Sequence, residues 1–298
     1  MNGLAMVWTR WTDRETNRAY IRSSEQIQSW KETGTRVFVS TTGTAPIDKT
    51  TQTFISAGAV HIPCQVGNPD HRLPLVLRKV FLVLLKDPTL THIGVVDDDA
   101  LFRHPDVTSL RIKEVVQKNN PGACGPIHGV RWWRKFGQGK NVPESFWENN
   151  GYASLWGTTM HSAGCQIYLA DALRITAPWW KSLFKSLIWR SDYPLFMMIH
   201  SRGYPIGEFY CKGYDHSALN ASKAPTKSVE WLESRAEMLR IDAKQTHMFF
   251  SRNMELVPYI PLLERIIKSD VRVALNFAVK GGLDRETSKA VFNKGLYS

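Results

Sequence analysis

THIGVVDDDALF, residues 91–102, runs from an apolar segment straight into three consecutive carboxylates. Thr91 to Val96 reads as a buried β-strand, short, uncharged and rich in β-branched residues. Three adjacent acids at the end of such a strand repel one another and cost stability unless a cation compensates. Successive strand side chains point to opposite faces, which lets Asp97 and Asp99 project one way and Asp98 the other. A pair so spaced suits Mg²⁺ or Mn²⁺, which fill their remaining positions with water and substrate phosphate oxygens.

Upstream, strand-like and helix-like segments alternate. Leu4 to Thr9, Arg36 to Ser40 and Ala59 to Pro63 are β-type runs. Between them, Arg18 to Thr33 predicts a polar helix ending near Gly34, Thr50 to Ala57 a short helix, and Leu75 to Lys86 an apolar helix stopped by Asp87-Pro88. This alternation implies βαβ units and an α/β fold, a Rossmann-type, mainly parallel sheet flanked by helices. In such sheets ligands gather outside the carboxyl ends of the strands, where the acid triplet falls. Residues 120 to 215 are loop-rich and hold Trp132, Trp133, Trp147, Trp156, Trp179, Trp180 and Trp189; from Val229 the chain reads as helices.

Lys and Arg number 38 against 27 Asp and Glu, a net charge of +11 that favours polyanionic partners: nucleic acid, an anionic membrane face or a phosphorylated substrate. The four cysteines, Cys64, Cys124, Cys165 and Cys211, form no CxxC pair, which argues against a zinc ribbon or a redox dithiol. The N-terminus lacks the basic and apolar regions of a signal peptide, and no segment approaches the roughly 20 apolar residues of a membrane span. A soluble, cytoplasmic protein is expected. No GxxxxGK[ST] loop, GxSxG elbow, HExxH pair or GxGxxG after the first strand is present, which sets aside the chemistries those motifs carry.

GVVDDDALF, following a fourth strand-like segment, resembles the DxD element of GT-A-fold glycosyltransferases, and the three preceding βα units resemble their nucleotide-binding half. The resemblance implies metal-dependent transfer of a sugar from a nucleotide-sugar, by default a UDP-sugar, to a hydroxyl acceptor. It assigns Asp99 and Asp97 to the metal, Asp97 also to the ribose, and Asp98 to the donor set as a lesser member. It implies a catalytic domain over 1–228, with a nucleotide-sugar half at 1–100 and an acceptor half at 120–228. Residues 229–298 are then a helical extension packed on it.

Further segments fit the same pattern. Ser191-Asp192-Tyr193-Pro194, followed by LFMMIHSRGYPI, matches the acidic residue that opens a helix ending in a Gly-aromatic turn and another strand. In inverting members of the family that acid is the general base, as a carboxylate within reach of the attacking hydroxyl can be. Here Ser191 stands where the usual pattern has Glu, and helix capping is the competing role for Asp192. Gly164 to Leu169 resembles the small-residue strand beneath the donor sugar, with Gly164 permitting close approach. His216, with His247 as the other candidate, corresponds to a further metal ligand. Arg10, Thr41 and Thr42 lie just after the first and second strand-like runs, where base and ribose contacts fall.

The acceptor reading rests on Arg131-Trp132-Trp133-Arg134-Lys135 and the residues to Lys140, which interleave cations with aromatics, and on a similar run from Trp179 to Arg190. Cations neutralise phosphates and aromatic faces stack on unpaired bases, so the expected acceptor is a hydroxymethylated pyrimidine in DNA. Phage DNA glycosyltransferases modify such bases. The alternatives are a peripheral enzyme of lipopolysaccharide or capsule glycan synthesis, whose basic patch meets anionic lipid, and a non-catalytic binder of sugar-nucleotide or nucleic acid.

Overall fold

The computed structural model describes residues 3–12, 18–43, 47–64, 72–98, 100–127, 165–183, 192–210, 214–215, 228–261 and 281–293, with isolated positions between 263 and 279. The N-terminal part is built from β1 (Leu4–Trp11), α1 (Arg18–Ser24), α2 (Ile27–Glu32), β2 (Arg36–Thr42), α3 (Lys49–Ser56), β3 (Val60–Pro63), α4 (Arg72–Lys86) and β4 (His92–Asp97). There follow β5 (Leu101–Phe102), α5 (Pro105–Asn119), β6 (Ala123–Ile127), β7 (Cys165–Leu169), α6 (Ala170–Leu183), α7 (Asp192–Ser201), β8 (Ile206–Tyr210) and β9 (Tyr214–Asp215). The C-terminal part contributes α8 (Val229–Ser251), a 3₁₀ turn (Val257–Tyr259) and α9 (Arg285–Asn293).

Seven strands form one sheet in the order β3-β2-β1-β4-β7-β6-β8. Pairing is parallel for β1 with β2 and β4, for β2 with β3, and for β6 with β8; β7 runs antiparallel to both its neighbours. The expected mainly parallel α/β sheet flanked by helices is therefore present. The register sets Thr9 between Ser40 and Asp97, so the carboxyl ends of β2, β1 and β4 lie level.

Strand residues alternate between two cores, as period-two side chains must when both faces are covered. Ala5, Val7, Phe38, Ile93 and Val95 pack with Val80, Val83 and Leu84 of α4 and with Leu195 to Ile199 of α7. Leu4, Met6, Trp8, Val37, Val39 and Val96 pack on the other side with Ile27, Trp30, Phe54 and Ile112. Leu195 through Ile199 are all fully buried, the signature of a helix apolar on every side. α8 reaches the first core through Phe249 and Phe250, while Leu232, Ala236 and Leu239 form a satellite cluster with Ala278 and Phe292. Arg202, just past α7, pairs with Glu255 at 3.3 Å, and His200 bonds to Tyr259, so α7 is tied to the C-terminal segment.

The single helix expected over 18–33 is two. Ser24 Oγ donates to Ile21 O at 2.6 Å, a local bond that competes with helix continuation. Ser23 and Gln26 are turned instead toward the chain after β4: Ser23 Oγ donates to Ala100 O at 2.9 Å, and Gln26 Oε1 accepts from Phe102 N at 3.0 Å. Among the described residues, no helix is long and apolar enough to cross a membrane.

Candidate metal and nucleotide site

β4 ends at Asp97 and the chain turns at once, Ala100 N donating to Asp97 O at 3.1 Å. The strand ends at Asp97, and Asp98 lies in the turn. Asp97 is partly exposed, whereas Asp98 is buried at 1% exposure. Asp99 lies outside the described residues.

Asp98 is held from below. Its Oδ2 accepts from Arg10 Nη1 at 3.1 Å. Arg10, fully buried in β1, also pairs through Nη2 with Asp48, while its Nε lies 3.3 Å from both Asp48 Oδ1 and Thr51 Oγ1. Asp48 caps α3, accepting from Thr51 N at 2.7 Å. Burial pushes the Asp48 carboxyl up, but the bonds from Arg10 and Thr51 and the Arg10 charge outweigh it and leave the pKa below its ordinary value. Arg10 is therefore buried among acids and does not lie in a loop after the strand. β1 continues to Trp11, two residues beyond the apolar run, so Arg10 sits within the strand, on the face shared with Trp8.

Thr41 and Thr42 likewise belong to β2, and both are buried. Thr41 Oγ1 is 2.8 Å from His61 Nε2, and its carbonyl accepts from Cys64 N at 2.8 Å. Burial lowers the pKa of His61; burial raises that of Cys64, which Lys79 and Arg78 pull the other way. The Thr42 carbonyl accepts from Thr12 N at 2.7 Å and from Thr12 Oγ1 at 3.1 Å. Among the described residues, the buried hydroxyls of Ser40 and Thr42 have no hydrogen-bond partner.

Ser40, Thr42, Thr9 and Asp97 are on the sheet face that bears Phe38, Val7 and Val95, now polar at its carboxyl end. On β7, Gln166 is registered with Val95; its Oε1 accepts from Tyr168 OH at 2.5 Å and its buried Nε2 is unpartnered among the described residues. Buried polar atoms are rarely left unsatisfied, and the carboxyl end of this face holds three.

Asp192 is the first residue of α7, and Gly203 (φ +83°) then turns the chain into β8, the layout expected. The Asp192 side chain lies outside the described residues, as do Gly164, His216 and the Arg131, Trp132, Trp133, Arg134 and Lys135 run. His247 is exposed on α8, 3.3 Å from Ser251 Oγ. Among the described residues no three His, Cys, Asp or Glu side chains come together as a metal cage. Asp97, partly exposed at the end of β4, is an oxygen donor of the kind that a divalent cation completed by water and substrate phosphate would take. Sequence reasoning missed Asp48, Ser40 and Gln166. Of these only Asp48 carried a signal, an acid placed before the helical run Lys-Thr-Thr-Gln, where N-caps fall.

The sequence matches no family profile and no curated protein. Several solved structures resemble it in part. The Pyrobaculum calidifontis mannosyltransferase in complex with GDP-Man and Mn²⁺ is 14% identical over 98% of this chain and 79% of its own, with a TM-score of 0.47. Glucosyl-3-phosphoglycerate synthase from Mycobacterium tuberculosis, with Mg²⁺ and UDP, is 12% identical over 80% of this chain and 79% of its own, at 0.41. CMP:2-keto-3-deoxy-manno-octonic acid synthetase, complexed with CTP, is 10% identical over 74% of this chain and 96% of its own, at 0.45.

Proposed function

We propose that the chain is a metal-dependent glycosyltransferase that moves a sugar from a nucleotide-sugar, taken as a UDP-sugar, to a hydroxyl acceptor. The observation that carries this reading is the split of the acid triplet: Asp98 is turned inward to Arg10 while Asp97 stays accessible at the carboxyl end of a parallel strand. Asp97, with Asp99, would hold Mn²⁺ or Mg²⁺, which when bound offsets the charge that develops on the departing diphosphate. The hydroxyls of Thr9, Ser40 and Thr42 line the same face and are the groups that would orient the nucleotide. Asp192, at the start of α7, would take the proton of the acceptor hydroxyl, and in-line displacement then inverts the sugar carbon.

The test is hydrolysis of UDP- and GDP-sugars with and without Mn²⁺. The expected result is metal-dependent turnover that falls at least 100-fold in Asp97→Ala and in Asp99→Ala. Equal, metal-independent rates in wild type and variants would refute the reading. Asp192→Asn should lose transfer to acceptor while keeping donor binding.

For the acceptor, we infer a hydroxymethylated pyrimidine in DNA, supported by the charge of +11 and by the cationic-aromatic run from Arg131 to Lys140. Binding to duplex DNA should weaken steeply with salt, and label from the sugar should enter hydroxymethylated but not unmodified DNA. Transfer to a glycolipid on anionic vesicles, with none to DNA, would place the enzyme in glycan synthesis instead.

A further inference from the structure

The Arg10 cluster is too costly to be incidental. A fully buried guanidinium meets two carboxylates, one 2% and one 17% exposed, on three separate elements: β1, the N-terminus of α3 and the turn after β4. Removing charges from water costs several kcal/mol per ion, and a hydrophobic replacement is often as stable. The planar fork of Arg, unlike the point charge of Lys, can bond two acids at once in fixed directions.

The turn after β4 is fastened again on the same side of the sheet. Ser23 Oγ accepts from Trp8 Nε1 at 3.0 Å and donates to Ala100 O, and Gln26 accepts from Phe102 N. Asp98, Ala100 and Phe102 are thus all anchored by side chains from β1, α1 and the α1–α2 junction. Asp97, partly exposed, ends β4 on the other face.

We propose that Arg10 is a positioning residue for the donor site. By gripping Asp98 against Asp48 it fixes the turn so that Asp97 is presented to the cation and diphosphate. The inference rests on the glycosyltransferase reading and goes beyond it, because it gives the central acid of the triplet an anchoring role in place of ligation. Groups that orient metal ligands without touching the metal typically carry 10–100-fold of the affinity.

The experiment is calorimetric titration of Mn²⁺, with and without UDP, into wild type, Arg10→Lys, Asp98→Asn, Asp98→Ala and Asp97→Ala, each checked for folding by circular dichroism. Asn keeps an oxygen for Arg10 and Ala does not. Asp98→Asn should bind Mn²⁺ within about 3-fold of wild type, whereas Asp98→Ala and Arg10→Lys should weaken it 10–100-fold. In both weakened variants, saturating Mn²⁺ should recover most of kcat, a metal-specific split that general loss of stability would not produce. If Arg10→Lys does not fold, the Asn and Ala pair at position 98 decides alone. Asp98→Asn as weak as Asp98→Ala would make Asp98 a direct ligand and overturn the proposal, as would wild-type affinity in Asp98→Ala. Absence of Mn²⁺ binding in wild type, unchanged by Asp97→Ala, would remove the donor-site reading itself and the proposal with it.

Discussion

Folding of this chain should weaken as pH falls below about 6.5, and His92 is the residue responsible for a measurable part of that loss. His92 opens β4 with 4% exposure; its Nδ1 lies 3.0 Å from Thr91 Oγ1, and its buried Nε2 has no hydrogen-bond partner among the described residues. Burial alone lowers its pKa from 6.5 to about 4. In the unfolded chain the ring takes its proton near 6.5. Between these values the unfolded state binds more protons than the folded one, so stability is present in full above the unfolded pKa and drains away as pH drops. From pH 7 to pH 5 the loss from this one ring is about 2 kcal/mol, reaching about 3 kcal/mol when the folded state also titrates.

The assay is urea unfolding followed by tryptophan fluorescence at pH 7, 6 and 5, comparing wild type with His92→Asn, which keeps a polar atom near Thr91 and cannot titrate. His61, also lowered by burial, contributes with the same sign to both proteins and cancels in the difference. The gap between the two stabilities should shift by about 2 kcal/mol in favour of the variant from pH 7 to pH 5. Parallel stability curves across that range would refute the reasoning, because they would mean that the His92 ring is solvated or partnered in the folded protein.

Two further perturbations test the packing around the site. At Gly94, in the middle of β4, a Cβ would lie 2.7 Å from Ile167 Cδ1 and 2.8 Å from Met6 Cε, closer than side chains pack, so Gly94→Ala should cost about 1–3 kcal/mol in chemical denaturation. Met6→Ala in the same chain should recover part of that loss. Asp48→Ala removes the cap of α3 and one of the two acids on Arg10, and should cost about 3 kcal/mol or more. Asp48→Asn keeps an oxygen for the Thr51 amide and should lie between the two, as judged by thermal melting.

The N-terminal strands are legible because each is an apolar, β-branched run bounded by Gly, Pro or Asp, and burial on both faces demands that pattern. Their ends are less so. β1 and β2 each continue two residues past the apolar run, through Arg10 and Trp11 and through Thr41 and Thr42. Polarity at those positions reads as a loop, yet the ladder continues there because the side chains find interior partners: Asp48 for Arg10 and His61 for Thr41. Those partners lie 38 and 20 residues away, beyond any local pattern. The antiparallel seat of β7 beside β4 was equally hidden, since nothing in Cys165 to Leu169 shows which edge it will meet.

That same distance explains why the triplet could be found in the sequence but not sorted. Alternation along a strand says only that neighbouring acids face apart; it cannot say which face is interior. The answer depends on Arg10, 88 residues from Asp98, and on the cap Asp48 that shares its guanidinium. A cation on one face of the sheet fixes which carboxylate is drawn inward. Moving the arginine one position along β1 would carry it to the opposite face, beside Asp97, because the strand period is two and Thr9 is registered with Asp97. The function proposed for these acids is therefore set as much by the parity of Arg10 in β1 as by the acids themselves.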